Sequence, residues 1–320
     1  MSRRLTLSSW WVLGFNVAVI LWGAFVRATG SGAGCGNHWP TCNGEVVPRA
    51  PSITTLIELS HRVSSGAALV LVLCLGALTF RDTPPRHPAR LAAVASMAFI
   101  LGEVVIGAGL VLLKLVAHDM SLLRGVSMEL HAGNTFALLT ALSLQTYYAS
   151  GGNAVRLRRA HSLLLPIGLA FSALVFALAT GAIAALGDTL FPARSLASGL
   201  AQDLSPHAHL FLRLRTLHPF SALAAAALVV AACTAVRTRS SSTTAYKLSF
   251  ALTGMVFVQV AIGVANLALL APIATQLLHL AAADAIFILL VLMAAHALAE
   301  VPEAVSSPVP SPAASREVGA

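Results

Sequence analysis

The chain has 320 residues, 57% of them hydrophobic and only 10% charged, with a mean hydropathy of +0.82. That balance excludes an ordinary soluble domain and an intrinsically disordered chain. The net charge of +8 does not imply a nucleic-acid partner, because basic residues in so apolar a chain sit in loops and set its orientation in a lipid bilayer.

Eight apolar stretches follow one another, at roughly 10–27, 55–80, 91–113, 127–149, 161–186, 212–236, 246–270 and 274–298. A helix crossing a bilayer needs about 20 residues. The expected fold class is all-α: a polytopic membrane protein with eight transmembrane helices. The ten-residue alternation of a membrane barrel is absent. The first stretch, Trp10 to Val26 behind Arg3 and Arg4, has the layout of a signal peptide. Arg27 and a run of small and polar residues separate it from Cys35, whereas a lipoprotein cleavage site abuts its apolar region. It is read as a retained helix.

The connections alternate in charge. Arg3 and Arg4, then Arg81, Arg86 and Arg90, then Arg156, Arg158 and Arg159, then Arg237, Arg239 and Lys247 fall on one side. The positive-inside rule makes that side the cytoplasm and puts both termini there. The tail from Glu300 onward is rich in Pro, Ser, Ala and Val without helical period, and reads as a disordered cytoplasmic end.

The first outer loop holds Cys35 and Cys42 among turn formers. Outside the membrane the compartment is oxidising, so a disulfide fits; the spacing excludes the CxxC redox motif. A staple for the loop and a pair that exchanges with an external thiol–disulfide protein are both compatible. Cys74 and Cys233 lie singly in apolar stretches and read as small buried hydrophobes.

Four histidines sit just inside the outer ends of apolar stretches: His61 in Glu58-Leu59-Ser60-His61-Arg62, His131 in Glu129-Leu130-His131, His218 in Leu217-His218-Pro219, and His279 in Leu278-His279-Leu280. With this topology all four occupy one layer, roughly 6–9 Å below the outer helix ends at the α-helical rise. An ionisable side chain inside a membrane is a functional hypothesis by default. Four at one depth make two pairs, and two imidazoles facing each other across a helix bundle can fill both axial positions of a heme iron. Zinc sites want three or four close ligands instead.

The halves also resemble each other. Gly23-Ala24 matches Gly181-Ala182, His61-x-x-Ser64 matches His218-x-x-Ser221, Glu103-Val-Val-Ile106-Gly107 matches Gln259-Val-Ala-Ile262-Gly263, and His131 matches His279, at nearly constant offset. This is the pattern of a parallel repeat. It divides the chain into a four-helix unit over 1–155, a second over 156–299, and the tail 300–320.

Glu58 shares a helical face with His61. It fits either a solvated edge carboxylate or a group that moves protons and holds the imidazole. Glu129 points away from His131 and reads as a loop-edge charge. Arg215 shares a face with His218; an arginine fork suits a heme propionate, and the alternative is a side chain that snorkels to the membrane interface. Arg27, Arg62 and Arg213 lie in the same outer layer with open roles.

Together, four features resemble the heme A synthase family of bacterial cytochrome oxidase assembly. They are Val26-Arg27-x-Thr29-Gly30-Ser31-Gly32-x-x-Cys35-x-x-x-Trp39-Pro40-x-Cys42-x-Gly44, Glu58-x-x-His61-Arg62, Leu130-His131, and the two second-half histidines. The resemblance implies an iron- and heme-dependent oxidoreductase of heme biosynthesis in the bacterial cytoplasmic membrane. It would convert the C8 methyl of heme o to the formyl of heme a through hydroxylated intermediates. It implies that the first unit takes substrate heme at Glu58, His61 and His131. It implies that the second holds a heme b cofactor on His218 and His279, with Cys35 and Cys42 a disulfide pair tied to activity. Implied partners are the farnesyltransferase that makes heme o and an external thiol–disulfide protein. The chain departs from many members in one respect. They carry a second cysteine pair between the fifth and sixth spans, where this chain, from Gly187 to Phe211, has none. His207 and His209 stand there and read as exposed loop residues. Two other classes compete on the same histidines: a bis-histidine electron-transfer cytochrome, and a heme transporter built on the repeat.

Overall fold

A computed structural model describes residues 2–156 and 161–299. Arg158, Arg159 and the tail from Glu300 lie outside the described residues. Within them the protein is helical, with ten α-helices, a long loop between the first two, and no strand longer than an isolated bridge.

The helices are α1 (Arg3–Ala28), α2 (Ile53–Asp82), α3 (Pro88–Leu112), α4 (Leu122–Ala149), α5 (His161–Leu190), α6 (Leu196–Asp203), α7 (Leu210–Arg215), α8 (His218–Arg239), α9 (Thr243–Ala268) and α10 (Ile273–Ala297). Their starts follow local chemistry. Ser2, Ser52, Ser121 and Ser242 each accept a hydrogen bond from a backbone N–H of the first turn, satisfying one of the donors a helix start leaves unpaired. Pro88 opens α3, where its missing N–H costs nothing.

Seven segments among the described residues are long and apolar enough to cross a membrane: α1, α2, α3, α5, the Leu210–Arg239 stretch, α9 and α10. This is one fewer than the eight expected. The exception is α4, which is 28 residues long but carries Arg124, Glu129, His131, Asn134 and Gln145. The protein is a multi-pass membrane protein, and its outward surface fits that. Leu91, Val105, Leu165, Phe220 and Phe257 are each more than two-thirds exposed, which water would oppose and lipid tails accept.

The sixth stretch differs from the single helix expected over 212–236. It breaks at Thr216 and Leu217 into α7 and α8. Pro219 accounts for the break: it has no N–H to donate and its ring would meet the carbonyl of Arg215 four residues back. The connection after α5 is also more ordered than a plain loop. It holds α6, closed at its start by a reciprocal pair of bonds between Ser195 and Ser198.

Helix α1 packs on α2 and α4, α2 on α3, and α3 on α4; α5 packs on α8, α8 on α9, and α9 on α10, which returns to α5. The two sets meet along α4, α10 and α1. Half of the most apolar stretch of α10 is buried, against 17% for α9, so α10 is the central helix. There Phe287 packs tilted against Phe136 of α4 at 5.0 Å and edge-on against Phe171 of α5 at 5.9 Å, aromatic pairing of the kind that adds specific geometry to area burial. At the far ends of the helices, Ser2 donates to Asp82 at 2.6 Å and Thr6 to the Ala149 carbonyl at 2.6 Å, fastening α1 to α2 and α4.

Candidate functional site: two histidine pairs and a disulfide loop

In the second set of helices, His218 opens α8 and His279 stands in the second turn of α10. Their rings face each other with centres 6.2 Å apart and planes at 85°. Two metal–imidazole bonds of about 2 Å each, plus half a ring on either side, require ring centres roughly 6 Å apart. The separation therefore suits one iron between the two residues. Small residues make room for both rings. A Cβ added to Gly181 would lie 2.9 Å from His218 Cε1, and one added to Gly263 would lie 3.0 Å from His279 Cε1.

The outer contacts of His218 also suit a ligand. Its Nδ1 lies 3.1 Å from the Ala177 carbonyl and 3.3 Å from the Thr180 hydroxyl, which in turn bonds Ser221 at 2.7 Å. A proton on Nδ1, donated to that carbonyl, leaves Nε2 as the lone-pair nitrogen. His279 is less settled. Its Nε2 lies 3.4 Å from the Gln259 amide, and its Nδ1 is buried with no partner. The residues therefore fit a bis-histidine heme: two facing rings at the right spacing, glycine-backed, with one buried ring nitrogen unsatisfied. No third His, Cys, Asp or Glu completes a metal cluster among the described residues.

In the first set, His61 lies in the third turn of α2 and His131 in the third turn of α4. They are electrostatic neighbours, with Glu103 and Arg62 also close to His61. The ring of His61 lies on Gly23 of α1, where a Cβ would come within 2.9 Å of Cε1, and its Nδ1 is buried and unpartnered. Nδ1 of His131 lies 2.8 Å from Glu103 Oε2, at ion-pair distance but not aligned as a hydrogen bond. The other oxygen of Glu103 accepts from Asn134 Nδ2 at 2.6 Å and Thr135 Oγ1 at 3.1 Å. Reading the sequence by motif misses Glu103 as a site residue. A signal exists: it is the only acid in α3, and an acid inside an apolar span is rarely idle. Asp284 carries the same signal in α10. It is fully buried, and neither carboxylate oxygen has a partner.

Glu58 shares the face of His61, yet its carboxylate turns to the Cys35–Cys42 loop. Oε2 accepts from the Cys35 backbone N–H at 2.8 Å, and Oε1 is ion-paired with Arg62, with Arg62 Nε at 3.1 Å. Arg62 also donates to the carbonyls of His38 and Thr41, at 2.6 and 2.8 Å. Glu58 is 3% exposed, so it is not a solvated edge charge. Cys35 and Cys42 form a disulfide with Cα atoms 4.4 Å apart. One buried ion pair thus ties the disulfide loop to α2 one turn above His61.

The remaining residues fall as follows. Arg215 is held by Asp188 at 2.9 Å and by Asp203 at 2.8 and 2.9 Å. Arg27 reaches across from α1 to the Thr189 hydroxyl at 2.7 Å, the Gln276 side chain at 3.0 Å and the Ala185 carbonyl. Arg213 donates to the Pro206 carbonyl. Glu129 does not stand at a loop edge: it lies inside α4, half-buried, with Oε1 shielded and unpartnered. His207 is exposed as expected, but His209 caps α7 and packs between Phe191 and Phe211, with ring centres 5.2 and 4.7 Å away. Cys233 is buried, whereas Cys74 is exposed on the outer surface of α2.

Several known proteins are similar to this chain in sequence. A "Protoheme IX farnesyltransferase" of Thermus thermophilus is 45% identical over 295 residues, which is 92% of this chain and 48% of that protein. A "Heme A synthase" of Bacillus mycoides is 38% identical over 126 residues, 39% of this chain and 40% of that protein. A "Heme A synthase" of an Exiguobacterium strain is 32% identical over 169 residues, 53% of this chain and 54% of that protein. The chain spans about half the length, or less, of the curated relatives it matches. The model of the COX15-CtaA family, described as cytochrome oxidase assembly protein, matches residues 7–291, which take in both histidine pairs and the disulfide loop. The chain belongs to the COX15-CtaA family of cytochrome oxidase assembly proteins.

Proposed function

We propose that this protein is a heme A synthase, a membrane oxidoreductase that converts the C8 methyl group of heme o to the formyl group of heme a. The observation that carries the reading is the facing of His218 and His279 at 6.2 Å in a chain of this family. The names of the Bacillus and Exiguobacterium relatives point the same way.

In this reading the second unit, 156–299, binds heme b through His218 and His279, and the first, 1–155, takes heme o at His61 and His131. Heme b, when bound, supplies one-electron redox chemistry. A methyl C–H has no useful acidity, so iron-based redox suits the reaction better than acid–base catalysis. The chain's own residues do the rest. Ala177 and Thr180 orient His218 through Nδ1. Gly23 and Gly181 leave the space that the two imidazoles fill. Arg215 commits part of its five-donor fork to Asp188 and Asp203, and its remaining N–H groups are available to a propionate. Glu58 acts on the site through the loop: it holds Cys35 and Arg62 over the outer end of α2.

The shared surroundings of His61 and His218, each ring laid on an equivalent glycine, support the eight-helix reading as two repeated four-helix units, with α4 the eighth span. The disulfide and the basic loops support a bacterial cytoplasmic membrane location with both termini inside and the Cys35–Cys42 loop outside. The partners are the enzyme that farnesylates heme and an external thiol–disulfide protein acting on that loop.

A second reading has a specific observation behind it, since the Thermus relative is named a farnesyltransferase. This chain covers 48% of that protein, and the same region is shared with relatives named heme A synthase, so the farnesyl-transfer name can rest on the part outside the match. One experiment separates the readings. The chain is expressed in cells that make heme o, and extracted hemes are weighed. Formyl heme is expected. In parallel cells that make heme b but not heme o, appearance of heme o would support farnesyl transfer, and two unmodified hemes per chain without product would support an electron carrier.

A further inference from the structure

The two histidine pairs differ at one place. Glu103 and Gln259 occupy matching positions, ahead of Ile106-Gly107 and Ile262-Gly263. Glu103 meets Nδ1 of His131 at 2.8 Å, whereas Gln259 lies 3.4 Å from Nε2 of His279. The glycines agree with this. A Cβ on Gly263 would strike the His279 ring, yet one on Gly107 would meet nothing within 4 Å. His131 has therefore left the glycine its counterpart rests on and turned its Nδ1 toward a carboxylate. That carboxylate is itself fixed by Asn134 and Thr135, and a Cβ on Gly102 would fall 2.6 Å from the Asn134 side chain, so the cluster is closely packed.

We propose that Glu103 is a positioning residue for the first site: its carboxylate, at ion-pair distance from Nδ1 of His131, draws that side of the ring toward α3, leaves Nε2 for the substrate iron, and makes His131 a stronger electron donor than His279. A carboxylate behind a ligating imidazole fixes the ring and raises its basicity; an amide fixes without adding negative charge. More donation to iron favours the ferric form, so the two hemes are set at different potentials by one acid-for-amide difference between halves. This rests on the reading that His61 and His131 bind heme.

The test uses the purified full-length protein, titrated with hemin and followed by spectroelectrochemistry. Glu103→Gln is expected to keep two hemin equivalents. It should raise the midpoint potential of the first-site heme by about 59 mV or more, a tenfold shift of a one-electron equilibrium. The second-site potential should not move, which also reports that the protein is folded. Glu103→Asp should restore part of the shift. The mirror variant, Gln259→Glu, should lower the second-site potential and keeps the question open to measurement if Glu103→Gln does not fold. Unchanged potentials in folded Glu103→Gln, or equal shifts at both sites, would overturn the proposal. The underlying reading fails separately: if His61→Ala and His131→Ala each retain the first-site hemin, those residues do not bind heme, whatever Glu103 does.

Discussion

The backbone N–H of Cys35 donates to Glu58 Oε2 at 2.8 Å, while the other oxygen of the same carboxylate is paired with Arg62. A single buried acid thus joins the disulfide loop to the helix that carries His61. Replacing Glu58 by Ala leaves the Arg62 charge, 12% exposed, with two carbonyls but no acid, and should cost about 3 kcal/mol, as for other broken buried pairs. The double change Glu58→Ala with Arg62→Met should recover much of that loss, because both charges then leave together. Thermal unfolding in detergent measures both. Thiol labelling after mild reductant should show Cys35 and Cys42 opening faster in Glu58→Ala.

Glycine substitutions offer a sharper geometric check. Gly181→Ala puts a methyl 2.9 Å from the His218 ring, and Gly23→Ala does the same to His61. Each should displace its histidine and weaken heme binding at its own site at least tenfold, about 1.4 kcal/mol. Gly107→Ala, which meets open space, should change neither. Hemin titration of the three variants decides. Equal effects at Gly23, Gly107 and Gly181 would mean that the rings do not rest where the structure has them.

The proposed division of labour between the pairs has its own signature. Loss of His218 or His279 should remove the tightly bound heme spectrum. Loss of His61 or His131 should stop conversion of heme o while that spectrum stays. Identical heme loss from all four variants would refute separate cofactor and substrate sites.

Much of this arrangement is legible along the chain, for reasons that differ by feature. Helices announce themselves by apolar length, the only economical way to cross lipid, and the four histidines stand out against it. Cys35 and Cys42, close in sequence among turn formers, form the disulfide that fits them. What is not legible is partnership across space. Glu58 and His61 share a helical face, so periodicity links them, but the nearest donors to Glu58 are the Cys35 amide and Arg62. Arg215 sits beside His218 in sequence and is claimed by Asp188 and Asp203 from other segments. The polarity of α4 is visible in its residues, yet the protein tolerates it because α1, α3, α5 and α10 surround that helix.

Asp284 gives a prediction of opposite sign. Its carboxyl is fully buried, neighboured along the helix by Ala282 and Ala283, and finds no partner. Asp284→Ala should therefore raise stability by about 1 kcal/mol, the low end of the desolvation cost of an unsatisfied buried polar group. A melting temperature in detergent that falls instead would assign that carboxyl a supporting contact.

Arg27 leaves a last consequence. It belongs to the helix whose Gly23 underlies His61, and it closes on Thr189 of α5 and on Gln276, one turn before His279 on α10. The guanidinium acts as a strut between the floor of one histidine pair and the wall of the other. Halves severed between α4 and α5 and produced as two chains would meet along α4, α10 and α1, with that strut as a polar tie between them. A displacement of α1 beneath His61 would pull on the helix bearing His279 through the Arg27–Gln276 bond.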